Sequence, residues 1–153
     1  MKIGIITFHW ATNYGAVLQC FALQETLKRM GHEVTIINYK PKQYDDTLWT
    51  FFRYRKFLHL KHYFFERKKE TLINRFRIKY LSLSQRYYSN KNLTEIDGYD
   101  AIISGSDQVL NLSFLKNGEP GGSKAYYLDF VKSGTRKITY AVSFGTTIFP
   151  QND

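Results

Sequence analysis

Short apolar runs rich in β-branched residues recur at Lys2–Phe8, Glu33–Tyr39, Tyr99–Ser104 and Lys137–Ser143. All four read as strands, and the first, without polar alternation, reads as one buried on both faces, the pattern of a parallel sheet. Between the first two, Ala16, Cys20, Leu23, Leu27 and Met30 fall at helical spacing from Gly15 to Met30. Lys28 and Arg29 suit the last turn of that helix and Gly31 stops it. Strand, helix and strand in succession predict a βαβ unit with a right-handed crossover, the first half of a Rossmann-like sheet.

The pattern then changes. Residues 45–81 interleave aromatics with bases and contain neither Gly nor Pro. Leu48, Phe51 and Phe52, then Leu60, Tyr63 and Phe64, then Ile73, Phe76 and Tyr80 approximate helical stripes, and the drift of the stripe predicts a break between helices. Ten of the 22 basic residues lie between Arg53 and Lys79. Such helices either project from the sheet, with bases and apolar stripes near an anionic membrane, or pack their aromatics on the core and leave the bases solvated. The sheet is expected to resume after a helical turn at Asn92–Ile96. A Gly-rich loop at 117–123 leads into Ala125–Phe130, and Gly145 opens a loop that runs to Asp153. A doubly wound domain normally continues from such a strand into another helix, so the chain is expected to be cut short.

Composition narrows the class. The chain has 153 residues, enough for one α/β domain, and its 43% hydrophobic content excludes disorder and fibrous repeats. A single cysteine excludes a disulfide framework or a cysteine zinc cage and fits a reducing compartment. No apolar stretch is long enough to span a bilayer, and the start lacks the long apolar region of a signal peptide, so a soluble cytoplasmic protein is expected. The formal charge of +9 attracts anions without choosing among nucleic acid, lipid and phosphorylated substrates.

Ligands of open α/β sheets sit at the carboxyl ends of the strands, which predicts that three polar loops share one rim: His9–Gly15, Gly105–Asn111 and Ser143–Thr147. The first has no GxGxxG. Its Asn13, Tyr14 and Gly15 precede a helix whose free N–H groups suit an anion, or else Asn13 or Thr12 is simply an N-cap and Gly15 makes room for packing. The second delivers Gly105, Ser106, Asp107 and Gln108 from an apolar strand. Asp107, the only acid there, suits a base that takes a proton from a sugar hydroxyl, with Gln108 and Asn111 orienting the substrate. The competing reading is a turn in which Asp107 caps the following segment. His9 borders the expected cleft and His32 reads as a turn residue. Cys20 reads as core. His59, His62 and Glu66 share a helical face, but the surrounding bases oppose a metal and favour a solvated face. No metal or cofactor is expected.

Three ordered blocks carry a resemblance: KIGIITFHWATNYGAVLQCFALQETLKRMGHEVTIINYKP, YDAIISGSDQVLN, and YYLDFV with KITYAVSFGT. Together they resemble the polysaccharide pyruvyl transferase family. The resemblance implies a GT-B-like pair of Rossmann-like domains with the active site between them and phosphoenolpyruvate as donor. Pyruvate is then placed as a ketal on a sugar or lipid-linked oligosaccharide acceptor during synthesis of capsule or other cell-surface polysaccharide. Gly105-Ser106-Asp107-Gln108 with Asn111, and Asn13-Tyr14-Gly15, are the motifs it carries over. Leu110 stands where the family usually has tryptophan. On this reading residues 1–153 are the N-terminal Rossmann-like domain with a helical insertion at about 45–81, the donor-binding domain is missing, and the chain is inactive alone. Two other classes stay open: a non-catalytic anion- or membrane-binding module, and a GT-B glycosyltransferase-like domain with another donor. No RNA- or DNA-binding signature supports a nucleic-acid partner. The expected location is the cytoplasm, with possible contact at the inner face of the cell membrane.

Overall fold

The computed structural model describes residues 1–41, 44, 60–111 and 124–146, with backbone alone over 60–63. Its strands are β1 (Lys2–Ile6), β2 (Glu33–Tyr39), β3 (Leu83–Tyr87), β4 (Ala101–Asp107) and β5 (Arg136–Val142). They form one sheet in the order β3-β2-β1-β4-β5, and every pairing is parallel. Helix α1 (Tyr14–Arg29) joins β1 to β2, α2 (Leu60–Tyr80) precedes β3, and the single turn α3 (Asn90–Leu93) follows it. This is the α/β Rossmann-like architecture read from the sequence.

Period-two alternation divides the strands between two cores. Ile3, Ile5, Val34, Ile36, Ala101 and Ile103 pack on one face with Cys20 of α1, while Ile6, Ile37, Tyr39 and Ile102 pack on the other with Leu93, Tyr126 and Phe130. Cys20 is buried as expected, and burial pushes its thiol up to about 12, leaving it an inert apolar group. Having both faces covered is why β1, β2 and β4 read as continuous apolar runs.

The structure corrects the sequence reading at two places. Strand β3 occupies a stretch with no predicted strand. It pairs with β2 alone, at the sheet edge, and its burial is uneven, with Gln85 and Arg86 exposed and Tyr87 buried. Its exposed polar positions break the apolar run that marks β2 beside it, whereas β5, the other edge strand, keeps such a run although exposed along most of its length. Strand β4 also extends beyond Ser104 through Gly105, Ser106 and Asp107, pairing Gly105 with Tyr140 and Asp107 with Val142 of β5. Gly105 is required there: with φ at 122°, an added Cβ would stand 2.1 Å from the Tyr140 carbonyl oxygen. Of the segment 45–81, only 60–80 falls within the described helix, and the expected break among residues 45–59 lies outside the described residues.

Candidate active site

Strand order places the switch point between β1 and β4, because the chain leaves β1 toward β2 on one side and β4 toward β5 on the other. A cleft of about 300 Å³ opens at the carboxyl ends of these two strands, lined by Phe8, Trp10, Ala11, Asn13, Tyr44, Asp107 and Gln108 among others. Thr7 Oγ1 at the end of β1 donates to Ser106 O at 3.0 Å, locking the two strand ends together. Ser143 N donates to Asp107 O at 2.9 Å and Leu110 N to Ser143 O at 3.2 Å, which brings in the loop after β5. A Cβ on Gly145, whose φ is 64°, would stand 2.4 Å from Gln108 Oε1 and 2.8 Å from Asn111 Nδ2. The described parts of the three expected loops therefore meet at one rim.

Asp107 sits half-buried at this rim with φ at 139°, a conformation side chains with a Cβ seldom adopt and which costs on the order of 1–3 kcal/mol. Its Oδ1 accepts from Gln108 N at 2.7 Å, while Oδ2 has no hydrogen-bond partner among the described residues. One oxygen thus steadies the turn, as the capping reading expects, and the other stays available at the rim. Gln108 is exposed beside it.

The other candidate residues separate. Asn13 is both a cleft-lining residue and the N-cap of α1, its Oδ1 accepting from Gly15 N at 2.8 Å. Tyr14 turns toward α2, where Lys69 Nζ lies 5.9 Å from its ring centroid. Gly105 and Ser106 act through the backbone of β4, and Ser106 O also accepts from Gln19 Nε2. Leu110 is buried in the core, away from any ring-stacking role at the rim.

His9 lies beneath the cleft and is sealed from solvent. Its Nδ1 is 3.2 Å from Thr7 O and its Nε2 is 3.1 Å from Asn38 Oδ1. Burial lowers its pKa to about 4 against the opposing pull of those two hydrogen bonds, and the nearby charges of Arg77 and Lys40 lower it further. The ring is neutral at physiological pH and ties β1 to β2.

Several residues that shape the cleft escaped the sequence reading. Trp10 stacks on Tyr44 with centroids 4.6 Å apart, and its Nε1 donates to the buried Tyr126 hydroxyl at 3.4 Å. Phe8 meets both Trp10 and Tyr126 edge-on, which completes an aromatic wall opposite Asp107 and Gln108. From α2, the buried Arg77 donates through Nε to His9 O at 2.8 Å, and through Nη2 to Trp10 O and Ala11 O at 2.7 Å each. Its Nη1 pairs with Glu70 Oε1 at 2.8 Å, and Glu70 Oε2 accepts from Thr12 Oγ1. Burial alone would raise the Glu70 pKa, but the hydrogen bonds from Thr12 and Arg77 and the guanidinium charge prevail and hold it below the usual range. Trp10 was legible from its place in the first loop. Arg77, more than sixty positions away along the chain, carried no local signal that set it apart from its neighbouring bases.

Among the described residues no cluster of His, Cys, Asp or Glu is arranged to hold a metal, and no helix is long and apolar enough to cross a membrane. The Glu66 side chain lies on α2, whereas the side chains of His59 and His62 lie outside the described residues.

The model of the polysaccharide pyruvyl transferase family matches residues 13–153, a span that takes in α1, every strand from β2 to β5 and both later rim loops. The chain belongs to this family. No curated protein and no solved structure matches it. Membership in the pyruvyl transferase family brings a pyruvate donor and a sugar acceptor to the chemistry that this cleft must be weighed against.

Proposed function

We propose that this domain forms the acceptor side of a polysaccharide pyruvyl transferase that moves pyruvate from phosphoenolpyruvate to sugar hydroxyls as a ketal. The observation that carries the reading is Asp107, held at the switch-point cleft with one carboxylate oxygen engaged and the other available. Opposite it stands an apolar aromatic wall, the combination of a hydrophobic surface and a few placed polar groups typical of small-molecule sites.

In the proposed reaction a general acid protonates the donor's methylene carbon, making C2 an oxocarbenium centre. A sugar hydroxyl attacks C2 as Asp107 takes its proton. Phosphate leaves, and a second hydroxyl of the same sugar closes on C2 to give the cyclic ketal, losing its own proton. Asn13 and Gln108 suit hydrogen bonding to the sugar, with Asn111 supporting Gln108 across Gly145. Ser106 and Gly105 set the backbone from which Asp107 projects, His9 and Gly15 hold the first loop from beneath and behind, and Tyr14 frames its outer side. Cations that neutralise the donor's phosphate and carboxylate belong to a second, donor-side domain in a GT-B-like arrangement, since no Lys or Arg lines the described cleft.

The test is Asp107→Asn in an enzyme assembled from this domain and a donor-side domain of the family. Positioned bases typically contribute about 10²–10⁴-fold, so phosphate release should fall by that order while acceptor binding and melting temperature change little. Near-normal turnover with a lowered melting temperature would leave Asp107 a turn cap and nothing more.

A further inference from the structure

Helix α2 has two faces with different tasks. Its inner face, with Glu70, Ile73, Phe76 and Arg77, grips the cleft loop and α1. On its outer flank Phe65, Lys68, Leu72, Arg75 and Lys79 follow one another at alternating spacings of three and four, which sets them in one stripe along the helix. Phe65 is 65% exposed and Leu72 50%. On the adjoining surface of α1, Tyr14 is 56% exposed and Leu18 52%, and an apolar recess of about 220 Å³ lined by Tyr14, Leu18, Leu72 and Phe76 joins the two helices.

Large apolar side chains left in water on neighbouring turns are costly unless something covers them. The acids of α2 are turned away from the stripe: Glu70 pairs with Arg77 and Glu66 lies 3.9 Å from Lys69. Lys68, Arg75 and Lys79 have no acidic partner among the described residues. Apolar groups flanked by unneutralised bases on one face complement a surface that offers hydrocarbon beneath negative charge.

We propose that the Phe65–Lys79 stripe of α2, with Tyr14 and Leu18 of α1, docks this protein on an anionic lipid surface. Phe65 and Leu72 enter the headgroup boundary, and Lys68, Arg75 and Lys79 meet lipid phosphates. The proposal concerns the outside of the domain and does not depend on the reaction assigned to the cleft.

The experiment is co-sedimentation of the full chain with vesicles of phosphatidylcholine containing increasing phosphatidylglycerol. Binding should rise with the anionic fraction and fall as NaCl is raised through the range where the Debye length shortens below about 10 Å. Lys68→Gln and Arg75→Gln should each weaken partition roughly fivefold. Phe65→Ser should abolish most of the salt-resistant remainder while leaving the circular dichroism spectrum and melting temperature unchanged, since the side chain is exposed. Lys91→Gln or Lys124→Gln, an equal charge change elsewhere, should have little effect. Binding indifferent to phosphatidylglycerol and salt, equal loss in the control variant, or no sedimentation with anionic vesicles would each overturn the proposal. So would self-association that Phe65→Ser abolishes in the absence of vesicle binding, which would assign the face to a second copy of the chain.

Discussion

At the scale of single residues, the buried polar groups around the first loop make the sharpest predictions. His9 is neutral in the fold, with its pKa lowered to about 4 chiefly by burial, against about 6.5 in the unfolded chain. Between those values the unfolded state binds a proton that the folded state refuses, so stability rises with pH across this window and falls as pH drops from about 6.5 toward 4. The span corresponds to roughly 3 kcal/mol at one proton. Urea midpoints measured from pH 7.5 to 4.5 should show this slope, and His9→Gln, less stable at neutral pH, should flatten it. Arg77 makes a different prediction. Arg77→Met leaves Glu70 without its cation and strips the charged donor from three loop carbonyls, which should cost about 2–4 kcal/mol in urea unfolding. Because those carbonyls belong to residues 9–11, hydrogen exchange should speed most at the loop amides, including Ala11 N, which donates to Phe8 O. Uniform loss of protection across the sheet would instead give Arg77 a purely global role.

Elements differed in how far the sequence revealed them, and the difference follows their surroundings. Strands β1, β2 and β4 are covered on both faces, so their composition alone announced them. Helix α1 announced itself through period and caps, with Asn13 at its start and Gly31 beyond its end. Strand β3 had neither signal, because its pairing is supplied by distant residues. Gln24, buried within α1, accepts from Ser82 N at 2.7 Å and donates to Tyr80 O at 2.9 Å, pinning the turn through which α2 passes into β3. Ser84 Oγ then accepts from Asn38 N at 3.0 Å where the β2–β3 register shifts. The same logic covers the site. Asp107 and its rim loops were legible because strand ends locate ligands, whereas the Arg77–Glu70 bracket exists only once α2 has folded back across the first loop. Gln24→Leu tests the element-scale claim. It leaves the Ser82 N–H and Tyr80 carbonyl without their partner, which should cost about 2–3 kcal/mol and expose the β3 amides to exchange ahead of those of β1. Equal protection in both strands would show that β3 is held by the sheet alone.

For the whole molecule, the distribution of charge matters more than its total. The chain carries +9, yet the described lining of the cleft contains one carboxylate and no Lys or Arg. Among the described bases, Lys68, Arg75 and Lys79 lie on the outer stripe of α2, Arg77 sits in the bracket behind the first loop, and Lys40 stands over the Trp10 ring with its Nζ 6.0 Å from the centroid. A donor bearing both phosphate and carboxylate needs preorganised cations where its negative charge is held and released, and such cations supply much of the rate acceleration in reactions of this kind. A neutral sugar needs none. The expected outcome is that this chain, incubated with phosphoenolpyruvate and lipid-linked sugar acceptors, releases no phosphate above background, and that titration calorimetry detects no phosphoenolpyruvate binding at millimolar concentration. Supplying a donor-side domain of the family in trans should restore release, with Asp107→Asn remaining inactive in the same mixture. Turnover by the chain alone would place the missing cations within its 153 residues and overturn the division of acceptor and donor chemistry between two domains.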